Sequence, residues 1–222
     1  MTKNLYGTTT FLKKIPHFVR DDRMGKDVCR LLYMSKGMYF MKVTRNEGNK
    51  GIPTAMIFSC PGQEEMKSGL LVNGQTGKNL DLLLSILKKS RPDLFPSVNR
   101  YDYRITNSSE NVHFKAHDNR TEPSLAEVRE KENIDRLKED IKGYKCVIAF
   151  GRCAAAAADI LKADKDFEGV SFINCQHLSF LSLNSSIKTD IEGAPIERGC
   201  ENGTYKRLEV VAAKINDQIN YS

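Results

Sequence analysis

Four stretches of this chain run from apolar residues into groups with chemical reach. "AMIFSCPGQEE" (55–65) ends on Ser59, Cys60, Pro61 and Gly62, followed by Gln63, Glu64 and Glu65. "YDYRITN" (101–107) ends on the amide of Asn107, "KCVIAF" (145–150) on Gly151 and Arg152, and "VSFINC" (170–175) on Gln176 and His177. A hydroxyl, a thiol, three carboxamides, an imidazole and a pair of acids are the types that bind polar ligands and move protons. The two acids are also what the first turn of a solvated helix prefers, because carboxylates complement its positive end.

A phosphate site is a further expectation. "VNGQTGKN" looks like a P-loop, but that motif needs Gly where Val72 stands and a hydroxyl where Asn79 stands, so it is rejected. What survives is a turn, Gly74-Gln75-Thr76-Gly77, opening a helix whose first amides and Lys78 could meet a phosphate. The alternative is a tight turn capped by Thr76.

The elements that must hold these groups read as strands alternating with helices. Segments 52–59, 101–107, 145–150 and 170–175 have the length and the β-branched or aromatic content of strands. Between them, Leu80, Leu83, Leu84 and Leu87 fall at i, i+3, i+4, i+7 and predict a helix over 77–90. Residues 124–143 predict one long helix, opened by a Ser124/Glu127 capping box and stopped at Gly143. "RCAAAAADILKA" (152–163) predicts a closely packing helix, and Leu208, Val211, Ala212, Ile215 and Ile219 line a C-terminal one. Residues 108–123 and 185–205 read as loops. Parallel strands need crossover connections, so the alternation implies an α/β fold: a three-layer α/β/α sandwich around a four-stranded parallel sheet. Ligands of such sheets collect at the carboxyl ends of the strands, where the polar residues above lie.

Composition narrows the class. At 222 residues the chain can bury roughly 70% of its unfolded surface as one domain, and no repeat or linker divides it. Six cysteines, at 29, 60, 146, 153, 175 and 200, contain no CxxC pair, so reduced thiols are expected and a zinc or iron-sulfur site is not. There is no membrane-length apolar run and no signal-peptide pattern, which places the expected site of action in the cytoplasm. The net charge of +6 permits a polyanionic partner without requiring one.

Taken in order and spacing, "CPGQEEMKSGLLVNGQTGKNLDLLL", "YRITN", "VIAFGRCAAAAAD" and "HLSFLSLN" resemble the uracil-DNA glycosylase superfamily over residues 52–184. The resemblance implies an α/β/α domain that flips a nucleotide out of DNA and hydrolyses its N-glycosidic bond without metal or organic cofactor; a single domain over 1–222 and a monomer are the default expectations. In that comparison His177, opening a stretch similar to the family's "HPSPLS", is the donor that stabilises the leaving base. Leu181 is the wedge that fills the emptied stack, with Phe180 beside it, and Ser179 holds a phosphate. Asn107 reads the base edge; the alternative is an Asx turn closing the strand. Gly74, Gln75, Thr76, Gly77, Lys78, Gly151 and Arg152 complete the expected DNA contacts.

Two departures from the family pattern bear on chemistry. Members with "GEAPG" carry a carboxylate where Ser59 stands, and others carry Asp or Asn where Cys60 stands, so the water-activating group is vacant. Glu64 or Glu65, or a water held by Gln63 and backbone, are the expected substitutes. Gly62 and Leu71 stand where relatives that exclude all but uracil carry bulky aromatics, and the implied roomier pocket suits a modified pyrimidine. Some members act against bacteriophages by excising glucosylated hydroxymethylcytosine, so base excision from phage DNA is one expectation and uracil the other. A non-catalytic DNA-binding module is the alternative, and a small-molecule nucleoside hydrolase would not need the Leu181 wedge.

Overall fold

The computed structural model describes residues 45–220 except 198, together with the backbone of 30–32 and 40–42. Cys29 lies outside the described residues, as does most of the first fifty. Strands β1 (Arg30–Leu32) and β2 (Phe40–Lys42) form a separate antiparallel pair. The remaining strands build one sheet: β3 (Arg45–Asn46), β4 (Thr54–Phe58), β5 (Arg104–Asn107), β6 (Cys146–Phe150) and β7 (Ser171–Cys175), in the order β3-β5-β4-β6-β7.

This is an α/β fold, but the sheet has five strands rather than the four expected. The extra strand, β3, runs antiparallel on the edge beside β5, while the other four are parallel. Two polar residues carry no hydrophobic period, so β3 is set by long-range bonds. The Asn46 amide donates to the carbonyls of Tyr101 and Tyr103, and Arg45 donates to buried Asp140. The expected strand over 101–107 is shorter, because residues 100–102 coil into a 3-10 turn capped by the Asn99 side chain.

Eight α-helices lie among the described residues: α1 (Gln63–Ser68), α2 (Gly74–Ser90), α3 (Lys115–Asp118), α4 (Leu125–Arg129), α5 (Lys131–Ile141), α6 (Arg152–Lys162), α7 (Phe180–Ser186) and α8 (Gly203–Asn220). The strand period of two sends alternate side chains to opposite faces. Met56, Phe58, Ile148 and Phe150 join Leu80, Leu83, Leu84 and Leu87 of α2 and Leu208, Val211 and Ile215 of α8. Ala55, Ile57, Val147 and Ala149 join Val128, Ile134, Leu137 and Ile141 of α4 and α5 and the alanines of α6. Each of the four α2 leucines is fully buried, contributing roughly 1.5–3 kcal/mol.

The single helix expected over 124–143 is two. Glu130 leaves the helical region at ψ 133, and the Asn133 amide turns back to donate to the Val128 carbonyl freed by the break (2.9 Å) and to Ser108 O (2.7 Å). Among the described residues no helix is long and apolar enough to cross a membrane.

The register levels the strand ends. Phe58 sits opposite Asn107, Ile57 opposite Ala149, and Phe150 opposite Cys175. Strand β4 connects onward to β5 on one side and β6 to β7 on the other, so a crevice opens between the carboxyl ends of β4 and β6.

Candidate active site

A cavity of about 900 Å³ occupies that crevice. Its walls come from all four parallel strand ends: Ser59 and Cys60 after β4, Asn107 closing β5, Gly151 after β6, and Gln176 and His177 after β7. Residues more than a hundred positions apart in the chain therefore face one hollow.

His177 is held in a defined state. Its Nδ1 accepts the backbone N–H of Ser179 at 3.1 Å, which leaves the ring proton on Nε2. Burial lowers its pKa below the usual histidine value, opposed by the negative charge of Glu122, so the neutral ring predominates at neutral pH. Gly151 makes room for it. With φ +94 and ψ 170 that residue occupies a region open essentially to glycine, and a β-carbon there would stand 3.2 Å from His177 Cβ. The edge of the ring meets Phe58, which stacks on Phe150 at 4.8 Å. Behind the loop, fully buried Asn79 donates to the carbonyl of Leu178 at 2.7 Å and accepts from Gln75 at 3.0 Å.

Three polar groups in the walls lack partners among the described residues. The hydroxyl of Ser59 and the Nε2 of Gln176 are buried without a hydrogen bond, and the Asn107 side-chain amide has none either; the Asn107 carbonyl accepts from Arg136. An unsatisfied buried group costs about 1–3 kcal/mol, which a polar ligand would recover. The Cys60 thiol is pushed up to about 12 by desolvation, so it is a neutral S–H and no nucleophile. The five described cysteines are free thiols, and no group of three His, Cys, Asp or Glu that could hold a metal lies among the described residues.

The expected site residues divide. Ser59, Cys60, Gly62, Thr76, Asn107, Gly151, Arg152, His177, Ser179 and Leu181 line the cavity. Gln63 and Glu64 do not: both are exposed on α1, with Glu64 paired to Lys67. Its neighbour Glu65 faces inward, and its oxygens accept the backbone N–H groups of Gly62 and Asn73, both at 3.1 Å. Desolvation raises its pKa. Leu71 is a core residue packed away from the cavity, so the room comes from Gly62, Ser59 and Cys60 instead. Of the expected phosphate turn only Thr76 reaches the cavity; Gly74 opens α2, Gln75 serves Asn79, Gly77 is buried against Val72 and Arg100, and Lys78 is exposed outside it. Phe180 is 60% exposed and outside the wall, while neighbouring Leu181 lines the mouth at 80% exposure.

Sequence reasoning missed one whole wall. Residues 113–127 cross the cavity as a strap, contributing His113, Thr121 and Glu122. The buried His113 ring bonds Asp118 through Nδ1, which holds that carboxyl down to about 2, and its Nε2 lies 3.5 Å from Arg120 and 3.7 Å from Glu127. Arg120 bridges Asp118 and Glu127. Only the capping box at Ser124 signalled any of this in the sequence.

No protein-family model matches the chain, and no curated protein matches it.

Proposed function

We propose that the protein is a monofunctional DNA glycosylase of the uracil-DNA glycosylase type, acting in base excision on a flipped pyrimidine and leaving an abasic site. The observation that carries this reading is the pairing, in one cavity, of a neutral His177 with its proton on Nε2 and an unpartnered Asn107 amide, below an apolar side chain 80% exposed at the mouth.

In this reading Leu181 enters the duplex and fills the gap left by the extruded base, against an unstacking cost of a few kcal/mol. The Asn107 amide, both donor and acceptor, pairs with the base edge. Bond cleavage passes through an oxocarbenium-like state, with negative charge growing on a carbonyl oxygen of the departing pyrimidine. A donor already aimed at that oxygen contributes on the order of 3 kcal/mol. His177 Nε2–H is suited to that role, because the neutral ring already carries its proton on Nε2 and donates to the developing anion without first having to be protonated.

Cavity size and the unpartnered groups favour a modified cytosine over uracil. A volume of about 900 Å³ lies at the upper end of the range that holds drug-sized ligands and exceeds the needs of a bare pyrimidine. Ser59 Oγ and Gln176 Nε2 are available to hydroxyls of a substituent such as a glucosylated hydroxymethyl group.

The test is incubation with duplexes carrying uracil, hydroxymethylcytosine or its glucosylated form, followed by alkali. Strand breaks at the modified cytosine are expected. Tight binding without breaks on any of the three would replace this reading with that of a DNA-binding module, and neither binding nor breaks would remove both.

A further inference from the structure

The proposed reaction needs a group to take the proton of the attacking water, and neither Ser59 nor Cys60 can serve. Most basic groups of the cavity wall are already committed. Both oxygens of Glu65 hold backbone N–H groups, one at Gly62 and one at Asn73. Nδ1 of His113 is tied to Asp118 and its Nε2 faces Arg120 and Glu127, while Nδ1 of His177 accepts from Ser179. The Cys60 thiol stays protonated.

Glu122 is different. Its Oε2 accepts from Arg152 at 3.2 Å and lies 3.8 Å from Cys153 Sγ, whereas its Oε1 has no partner among the described residues. The side chain is 38% exposed, open to water at the cavity wall rather than sealed in the core. It lines the same cavity as the strand end that lacks a base and the imidazole, and its charge bears on the His177 ring and on the thiols of Cys60 and Cys153.

The strap that carries Glu122 is fixed on both sides. The backbone N–H of His113 donates to Pro61 O at 3.1 Å, and Cys60 Sγ reaches Thr121 O at 3.8 Å. Beyond Glu122, Cys153 Sγ donates to Pro123 O at 3.5 Å, and Ser124 caps α4. The Asp118–Arg120–Glu127 ion pairs staple the strap across its middle. A carboxylate held by this many long-range bonds is positioned before substrate arrives, which is what general-base catalysis requires.

We infer that Glu122 is the general base of the proposed reaction, taking through Oε1 the proton of the water that attacks the sugar. This rests on the glycosylase reading. The water oxygen bonds to C1′ as the C1′–N bond breaks, the electron pair leaves with the base, and His177 Nε2–H stabilises it. The water's proton passes to Glu122 and from there to solvent or to the departed base.

The experiment is single-turnover base release by wild type, Glu122→Gln and Glu122→Ala, with and without added formate, beside duplex affinity and thermal melting of each. Glu122→Gln is expected to slow release by about 10²–10⁴-fold while affinity and melting stay at wild-type values. Formate, a small carboxylate that fits the vacated space, is expected to restore Glu122→Ala in proportion to its concentration. A merely structural Glu122 would not respond to formate. Wild-type release by Glu122→Gln, or a slow Glu122→Ala deaf to formate, overturns the assignment and leaves the glycosylase reading standing. A wild-type protein that releases no base from any of the three duplexes overturns both.

Discussion

Substituting Gly151 by alanine tests the link between fold and site. The residue sits at φ +94, ψ 170, and an L side chain in that region costs about 1–3 kcal/mol. At the 2–4 °C per kcal/mol typical of chains this size, melting should fall by about 2–12 °C. The new β-carbon would also stand 3.2 Å from His177 Cβ, tighter than ordinary contact, so the imidazole must move by a few tenths of an ångström. Gly143 is the control: it has φ +85 but nothing within 4 Å of an added β-carbon, so Gly143→Ala carries backbone strain alone. Melting by calorimetry and single-turnover base release, measured well below both transitions, separate the two effects. Both variants should melt early, but only Gly151→Ala should lose catalysis, with duplex affinity preserved. If Gly151→Ala releases base at the wild-type rate, Gly151 does not position His177 and the geometry argued for the donor is wrong.

Leu181→Ala should leave melting unchanged, since the side chain is 80% exposed, yet weaken duplex binding by about tenfold, or 1.4 kcal/mol, with little effect on single strands; fluorescence anisotropy on both substrates checks this. Asn79→Leu strips the Leu178 carbonyl of its buried donor and should cost about 1–3 kcal/mol in urea denaturation, together with slower base release as the His177 loop loosens. The lowered pKa of His177 means that below pH 6.5 the unfolded chain takes up a proton that the folded chain refuses, so stability falls as pH drops from 6.5 toward the folded value. Denaturation midpoints across that window should therefore decline more steeply for wild type than for His177→Gln, and parallel curves would refute the buried neutral ring.

The strands that build the cavity were legible because each is a short apolar run that stops abruptly on polar residues, and the carboxyl-end rule then pointed to Ser59, Asn107, Gly151 and His177. Other features depend on contacts that no local pattern encodes. The two-residue β3 is held by Asn46 and Arg45 reaching distant partners. The break at Glu130 is stabilised by Asn133 turning back, against a helical period that runs through it. Glu64 and Glu65 are adjacent, and only the phase of α1 decides that the second faces inward. Leu71 fell in the core because Val72, at φ +50, turns the chain between α1 and α2, putting Val72 on the cavity wall. The strap up to residue 123 read as a loop because its order comes from ion pairs and from bonds to Pro61, Cys60 and Cys153, residues far off in the chain.

A crystal structure with a duplex bearing one 2′-fluoro-substituted, cleavage-resistant glucosylated hydroxymethylcytosine would show whether a flipped base enters this cavity. The base should be swung out into the cavity, with its edge against the Asn107 amide, a carbonyl oxygen within hydrogen-bond reach of His177 Nε2, and Leu181 in the vacated stack. DNA bound on another face, or a base left in its helix above an empty cavity, would overturn the glycosylase reading.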